Sequence, residues 1–376
     1  MKGYYIHFDG SRTPGVCKKI KMQIEELRKY FDVEEIEIHF IPKNLLQRML
    51  RMLPFGAVAR DYEKCLEKLV QPDFVYIRRT LADRYYIRFL KKIKEAYPKC
   101  RVLIEVYTYP YDKDEFGKWY ALPRYCKEAW NRKKIPAWMD RYVTVSKEEW
   151  IFGKQTIRIS NGIQTDQIKP VSNTSGKGGQ FDMIAVAFMQ KQHGYERVIE
   201  GMYDYYQNGG NRQVYLHLVG DGPEKRRYQK LVKKRGLEEK VRFYPNLTGE
   251  ELDHVFEQKD IAISALGLYK NGIYYESSLK SREYLARGLP MVTGCEVDVF
   301  EKKKCDYNCR FPNDGSKIPI CRILAFCDRL YAKGRKDVQK NIRQYAEEMV
   351  GMETAMKAVI DYLMQTDEMR NGHELI

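Results

Sequence analysis

No window of the 376-residue chain approaches the roughly 18 consecutive apolar residues that would carry it across a bilayer. The opening MKGYYIHFDG also lacks the continuous apolar stretch of a secretory leader. The expectation is a cytoplasmic protein, soluble or resting on a membrane surface. Tight cysteine pairs are missing too. The nine cysteines are odd in number and scattered, and the nearest spacing, Cys305-x3-Cys309, has no histidine companion. With Cys321 and Cys327 following, this pattern fits free thiols in a reducing compartment better than a zinc site or a disulfide framework. No short repeat recurs, and no DxD-type metal motif stands in a convincing setting. Acidic residues are in deficit: 66 Lys+Arg against 51 Asp+Glu leave a formal charge of +15. That excess attracts anions without saying which. The basic residues are spread along helices rather than clustered with stacking aromatics, which argues against nucleic acid as the partner.

What is present is a globular composition, 44% apolar, in a chain long enough for two domains of roughly 150–200 residues. Short apolar runs alternate with amphipathic stretches. Strands are expected at 3–8, 35–40, 73–77, 101–106, 142–145, 183–187, 214–219, 241–244, 261–264 and 291–293. Helices are expected at 19–30, 81–97, 195–206, 224–235 and 250–258. This alternation predicts an α/β fold of parallel sheets with helices on both faces. The Ser/Asn/Gly-rich stretch 160–180 has neither period and reads as a boundary. The expected divisions are therefore 1–165, 166–345, and a helical tail 346–376 that caps the second half or crosses back to the first. Helical period runs from Lys336 to Gln365. Residues 43–60 interleave Leu and Met with Lys and Arg at helical spacing. Both a core helix with a basic face and an interfacial helix on anionic lipid fit them.

The stretch 264–292, SALGLYKNGIYYESSLKSREYLARGLPMV, carries the most chemistry. A Gly-punctuated loop follows a strand, and a helix starts near Ser277 and Ser278. Its free amides, at the amino end beside Leu279, form a ready seat for phosphate. Lys280 in the first turn opposes the helix dipole, which makes sense if it faces an anion. Glu283 lies on the same side and suits vicinal hydroxyls such as those of a ribose. A capped surface helix with unremarkable charges is the alternative.

Lys280-x-x-Glu283-Tyr284-Leu285-Ala286-x-Gly288-Leu289-Pro290 resembles the KxxEYxAxGxP block of glycosyltransferase family four, the group one glycosyltransferases. Further likenesses lie in order along most of the chain: Gly220-Asp221-Gly222-Pro223-Glu224, the strand around Phe243, and Asn161-Gly162-Ile163 at the boundary. Gly10 and Gly15 flank a loop after the first strand and resemble the family's glycine-rich loop. Residues 104–115, IEVYTYPYDKDE, resemble a block of capsule- and exopolysaccharide-associated members. The resemblance implies a GT-B fold of two Rossmann-like domains facing each other across a cleft. It implies retaining transfer from a nucleotide-diphosphate sugar to a glycan or an undecaprenyl-diphosphate-linked acceptor, with no cofactor and no required metal.

By that resemblance Glu283 binds the ribose. Ser278, Leu279, Gly220, Gly222, Phe243, Gly15 and Gly267 line the donor site. The family's Arg–Lys pair for the diphosphate is replaced by Phe188 or Met189 and by His193, so Lys191, Arg197 or Lys280 must supply the charge. His193 reads either as a ligand to phosphate or sugar or as a helix-capping residue. Arg197, deeper in its helix, reads as structural or as a modest phosphate contact. Asp112 and Glu115 are candidates for positioning the acceptor, or members of a solvated acidic turn. Glu276 and Glu283 have six residues between them where the family has seven, so Tyr275 takes the earlier place and donor-sugar contacts do not carry over to Glu276. A GT-B sugar-nucleotide epimerase would share the ribose contact and is the nearest competing activity.

Overall fold

The computed structural model describes residues 1–8, 14–39, 46, 49, 53, 61–117, 119–171, 179–303 and 305–365. The chain forms two compact units, Met1–Gly162 with Met352–Ile376, and Ile163–Gly351. Gly10 and most of the 43–60 segment lie outside the described residues.

The first unit is built on a seven-stranded sheet in the order β2-β1-β3-β4-β5-β7-β6. Its strands are β1 (Lys2–Phe8), β2 (Asp32–Ile38), β3 (Phe74–Arg78), β4 (Arg101–Val106), β5 (Arg141–Thr144), β6 (Trp150–Ile151) and β7 (Lys154–Arg158). Among the described residues only β6 and β7 pair antiparallel. Their turn places Phe152 at φ 47° and Gly153 at φ 82°, the left-handed pair of a tight hairpin. Every residue of β3 is buried, so both faces must be covered. Val75 and Ile77 face one core with Tyr86, Phe89 and Leu90 of α3 (Arg84–Ala96). Phe74 and Tyr76 face the other, with Ile20, Ile24 and Leu27 of α1 (Pro14–Arg28) and with Met356, Val359 and Leu363.

Those last three belong to the helix Met352–Met364, which closes this unit. The tail is not one helix from 336 to 365. It breaks at Gly351, extended at ψ 150°, between Arg335–Val350 and Met352–Met364. The expected helix 81–97 starts later, because Asp83 Oδ1 accepts the N–H groups of Tyr85 and Tyr86 and caps it there. Further elements here are α2 (Tyr62–Lys68), α4 (Asp112–Phe116) and α5 (Leu122–Arg132).

The second unit carries six parallel strands in the order β10-β9-β8-β11-β13-β15, the doubly wound pattern. They are β8 (Gln180–Val186), β9 (Gln213–Val219), β10 (Val241–Tyr244), β11 (Ile261–Ile263), β13 (Met291–Thr293) and β15 (Asn308–Arg310); β12 (Tyr275–Glu276) and β14 (Glu296–Val297) pair separately. Helices α6 (Glu196–Gln207), α7 (Lys225–Lys234), α8 (Gly249–Phe256), α9 (Leu279–Ala286), α10 (Val299–Lys302), α11 (Ile320–Tyr331) and α12 (Arg335–Val350) cover it. Phe181, Met183 and Ala185 of β8 face one core and Ile184 the other. Strand order reverses between β8 and β11, so the loops after these two strands flank the crevice where such sheets take ligands.

Candidate functional site

The β8 and β11 loops are locked together by backbone bonds. Leu266 N–H donates to His193 O at 2.9 Å, and Gly267 N–H to Gln192 O at 3.1 Å. Gly194 makes that approach possible. It sits at φ 61°, and a Cβ there would lie 2.7 Å from the Gly267 nitrogen. Gly194→Ala is therefore expected to lower stability by about 2 kcal/mol or more through backbone strain and the clash, measured as a fall in the denaturation midpoint. A midpoint equal to wild type would show that the two loops are not held at this spacing.

This lock brings His193 to Lys280 in the first turn of α9, with Nε2 and Nζ 2.5 Å apart. His193 Nδ1 accepts the Gln190 N–H at 2.9 Å, so the proton of the neutral ring lies on Nε2 and points at the amine. Burial, and then the charge of Lys280, push the imidazole down to about 3. Burial also pulls the Lys280 ammonium down to about 8, against the opposing pull of Glu276 and Glu283. Two proton-bearing nitrogens thus meet at this point. An anionic oxygen seated there would accept from both.

The start of α9 is fixed by short side chains and one long one. Ser278 caps the helix by accepting the Ser281 N–H. By helix geometry the N–H groups of Leu279 and Lys280 have no intrahelical acceptor. Arg282 is wholly buried and binds Asp298, Ser277 Oγ, Ser281 Oγ and Ser278 O. Tyr284 Oη accepts the Val186 N–H at 3.0 Å and reaches Ile263 O, which pins α9 across β8 and β11. One turn beyond Lys280, Glu283 holds Arg287 through Oε1 alone, at 3.0 and 3.2 Å.

Glu276 lies closer to the chemistry than its spacing in the sequence suggests. It is buried beside Ser264 Oγ at 3.0 Å, close enough to act on Lys280, and burial raises its carboxyl above the ordinary range. Neither it nor Arg282 stands out in the sequence: the first is one residue out of register with the family's spacing, the second occupies a variable place in the motif.

The other expected residues have different occupations. Arg197 is buried and its fork is engaged by Leu266 O, Pro312 O and Ser316 O, so it braces loops. Gly220 and Gly222 have φ 123° and 135°, and a Cβ on either would strike residues 187–189. The Gly220 N–H goes to Pro245 O and that of Gly222 to Asp221 Oδ1, so these glycines contribute close packing of the turn rather than free donors. The Gly267 N–H is likewise taken by Gln192 O. Phe243 packs against the core. Lys191 is exposed, and its carbonyl accepts from Lys270. At the place of the family's arginine, Phe188 is exposed and Met189 buried.

Gly15 lies inside α1, not in a loop, because Pro14 begins the helix with a φ already suited to it. At the carboxyl ends of β3 and β4, buried Glu105 meets Lys19 at 2.7 Å and Tyr76 Oη at 3.0 Å. Burial alone would raise its carboxyl; Lys19 and Arg78 outweigh that and hold it at about 2. Asp112 pairs with Arg132 at 2.6 and 3.2 Å, and Glu115 with Arg79, so both carboxylates are already engaged. Among the described residues no three His, Cys, Asp or Glu side chains converge on a metal-sized site.

Residues 168–298 match the family model described as glycosyl transferases group 1. No curated protein sequence matches the chain. Solved structures with the same fold include HepE of Anabaena in complex with UDP and glucose, 14% identical, covering 96% of this chain and 99% of that one with a TM-score of 0.62. Sucrose-phosphate synthase of Thermosynechococcus elongatus is 15% identical, with 99% of each chain covered and a TM-score of 0.61. The lipopolysaccharide outer core galactosyltransferase WaaB in its apo form is 13% identical, covering 96% of this chain and all of that one, with a TM-score of 0.55. The chain therefore has the GT-B fold, and residues 168–298 of its second unit are similar to the group 1 glycosyl transferases.

Proposed function

We propose that the protein is a retaining, metal-independent glycosyltransferase that moves a hexose from a UDP- or GDP-sugar to a hydroxyl of a glycan or an undecaprenyl-diphosphate-linked glycan, in surface polysaccharide synthesis. One observation carries the reading: the Nε2–H of neutral His193 and the Lys280 ammonium converge at the amino end of α9, at the switch point of a doubly wound sheet. A diphosphate there accepts from His193, Lys280 and the Leu279 and Lys280 amides. These donors stabilise the charge that grows as the sugar–phosphate bond breaks. Glu283 Oε2 accepts from the ribose, while Arg287 holds Oε1. The acceptor oxygen attacks the anomeric carbon, and its proton passes to the departing phosphate oxygen, so no protein base is required.

HepE with UDP and glucose supports the donor class through a shared fold, and the family match over residues 168–298 includes His193, Lys280 and Glu283. Thermal-shift measurements against a panel of nucleotides and nucleotide sugars test the proposal. The right donor at a hundred times its Kd adds about 2.7 kcal/mol. Glu283→Gln is expected to weaken that donor about tenfold, by loss of one charge-assisted bond, while its own melting point stays close to wild type. Normal binding by this variant removes the ribose role. A panel with no response at all removes the proposal, and an epimerised nucleotide sugar as product converts it to the epimerase reading.

A further inference from the structure

Helix α5 carries its charges inward. Lys127 and Glu128 are buried, with Glu128 bonded to Arg79, Tyr111 Oη and the Ala82 N–H. Its outward stripe, at four-residue spacing, is Leu122, Cys126 and Trp130; Leu122 is 60% exposed and Trp130 69%. The 3-10 turn just before it adds Trp119, 88% exposed, and Tyr120. Just past the helix, Lys133 and Lys134 are exposed, and the Lys134 ammonium stands 5.6 Å over the Trp130 ring. An ordinary surface helix has this polarity the other way round.

We infer that this face docks on an anionic phospholipid bilayer. Tryptophan and tyrosine place a flat apolar body and a polar tip at the depth of the headgroups. Lysines beside them meet the phosphates above. Among the described residues the nearby carboxylates of Asp112, Glu115 and Glu128 are each engaged by Arg132 or Arg79. Lys133 and Lys134 remain exposed beside the stripe as positive charges. A protein partner fits less well, since lysine is depleted where proteins bury one another. The helix, 11 residues long, is too short to cross the membrane and has the form of one that lies on it. In the sequence, 43–60 admits an interfacial helix as one of two readings; of its described residues, Leu46, Met49 and Leu53 are exposed. The inference deepens the proposal of a lipid-linked acceptor and rests on that reading only for its purpose. Donor binding is a separate matter.

The test is flotation of the full chain with phosphatidylcholine vesicles, with and without phosphatidylglycerol. Binding is expected only with phosphatidylglycerol, and it weakens with salt. Lys133→Gln with Lys134→Gln, and separately Trp119→Glu with Trp130→Glu, are expected to lower binding on the order of tenfold or more. Nucleotide-induced thermal shifts stay unchanged in both variants. Equal flotation of the tryptophan variant and wild type overturns the inference. So does a wild type that ignores anionic vesicles and sediments as a dimer dissolved by Trp130→Glu. A wild type that floats but responds to no nucleotide sinks the donor reading alone.

Discussion

Lys280→Met should lower turnover by roughly a hundred- to a thousandfold, the usual cost of removing one preorganised donor from a developing oxyanion. Methionine keeps much of the stem's volume, so the loss falls on charge. On the proposed mechanism the ammonium interacts with the departing diphosphate more strongly as the bond breaks, so kcat should drop more than donor affinity. The same substitution removes one of the two causes that hold His193 near 3, leaving burial alone. The imidazole of the variant should therefore titrate higher, which NMR of the ring protons reads directly. The pH dependence has a definite sign. An anion favours the ammonium, so on the proposed function the wild type should bind UDP or GDP best below about pH 8 and progressively less above it. In the methionine variant that decline is absent. Unfolding cannot imitate it: the folded pKa lies below the unfolded value of 10.5, so between about 8 and 10.5 the unfolded chain holds more protons. On this account stability rises with pH across that window. Unchanged turnover in the variant would place the diphosphate elsewhere.

The architecture is legible in the sequence because buried parallel strands are written as short apolar runs. Val241–Tyr244 and Met291–Thr293 match their expected bounds residue for residue. The expected 35–40 is observed as Asp32–Ile38, since an edge strand with four of seven residues exposed has little apolar signal. The hairpin at 150–158 leaves no strong pattern either: it rests on a positive-φ turn at Phe152 and Gly153. At the candidate site the motif identifies Lys280, Glu283 and the Ser278 cap by local spacing. It does not reveal that His193, 87 positions earlier, meets Lys280. That meeting depends on Gly194 and Gly267 letting two loops touch, a tertiary fact. The engagement of the Gly220, Gly222 and Gly267 amides by the protein's own oxygens is of the same kind. A glycine in a turn signals close backbone approach, and the sequence does not say whether a ligand or another loop does the approaching.

Arg282→Met is the substitution expected to cost the most stability, about 3–5 kcal/mol, because it strips the partner from a buried charge. Asp298 is 5% exposed and Ser281 fully buried, and Arg282 ties both, with Ser277 and the Ser278 carbonyl, into one fork. Asp298 also follows β14, which pairs with the strand carrying Glu276, and its N–H donates to Glu276 O at 3.1 Å. The fork therefore sets the loop that delivers Glu276 and the turn that delivers Lys280. Arg282→Met with Asp298→Leu removes both charges. It should recover much of the lost stability, since an apolar pair in place of a buried ion pair is often close to neutral. Donor binding should not recover with it, because the bonds from Arg282 to Ser277 Oγ and to the Ser278 carbonyl at the head of α9 are then lost. Chemical denaturation gives the first quantity, and nucleotide titration of the refolded double variant gives the second. Full recovery of donor binding would mean that Arg282 only holds the unit together; recovery of stability alone identifies it as the residue that positions the phosphate seat.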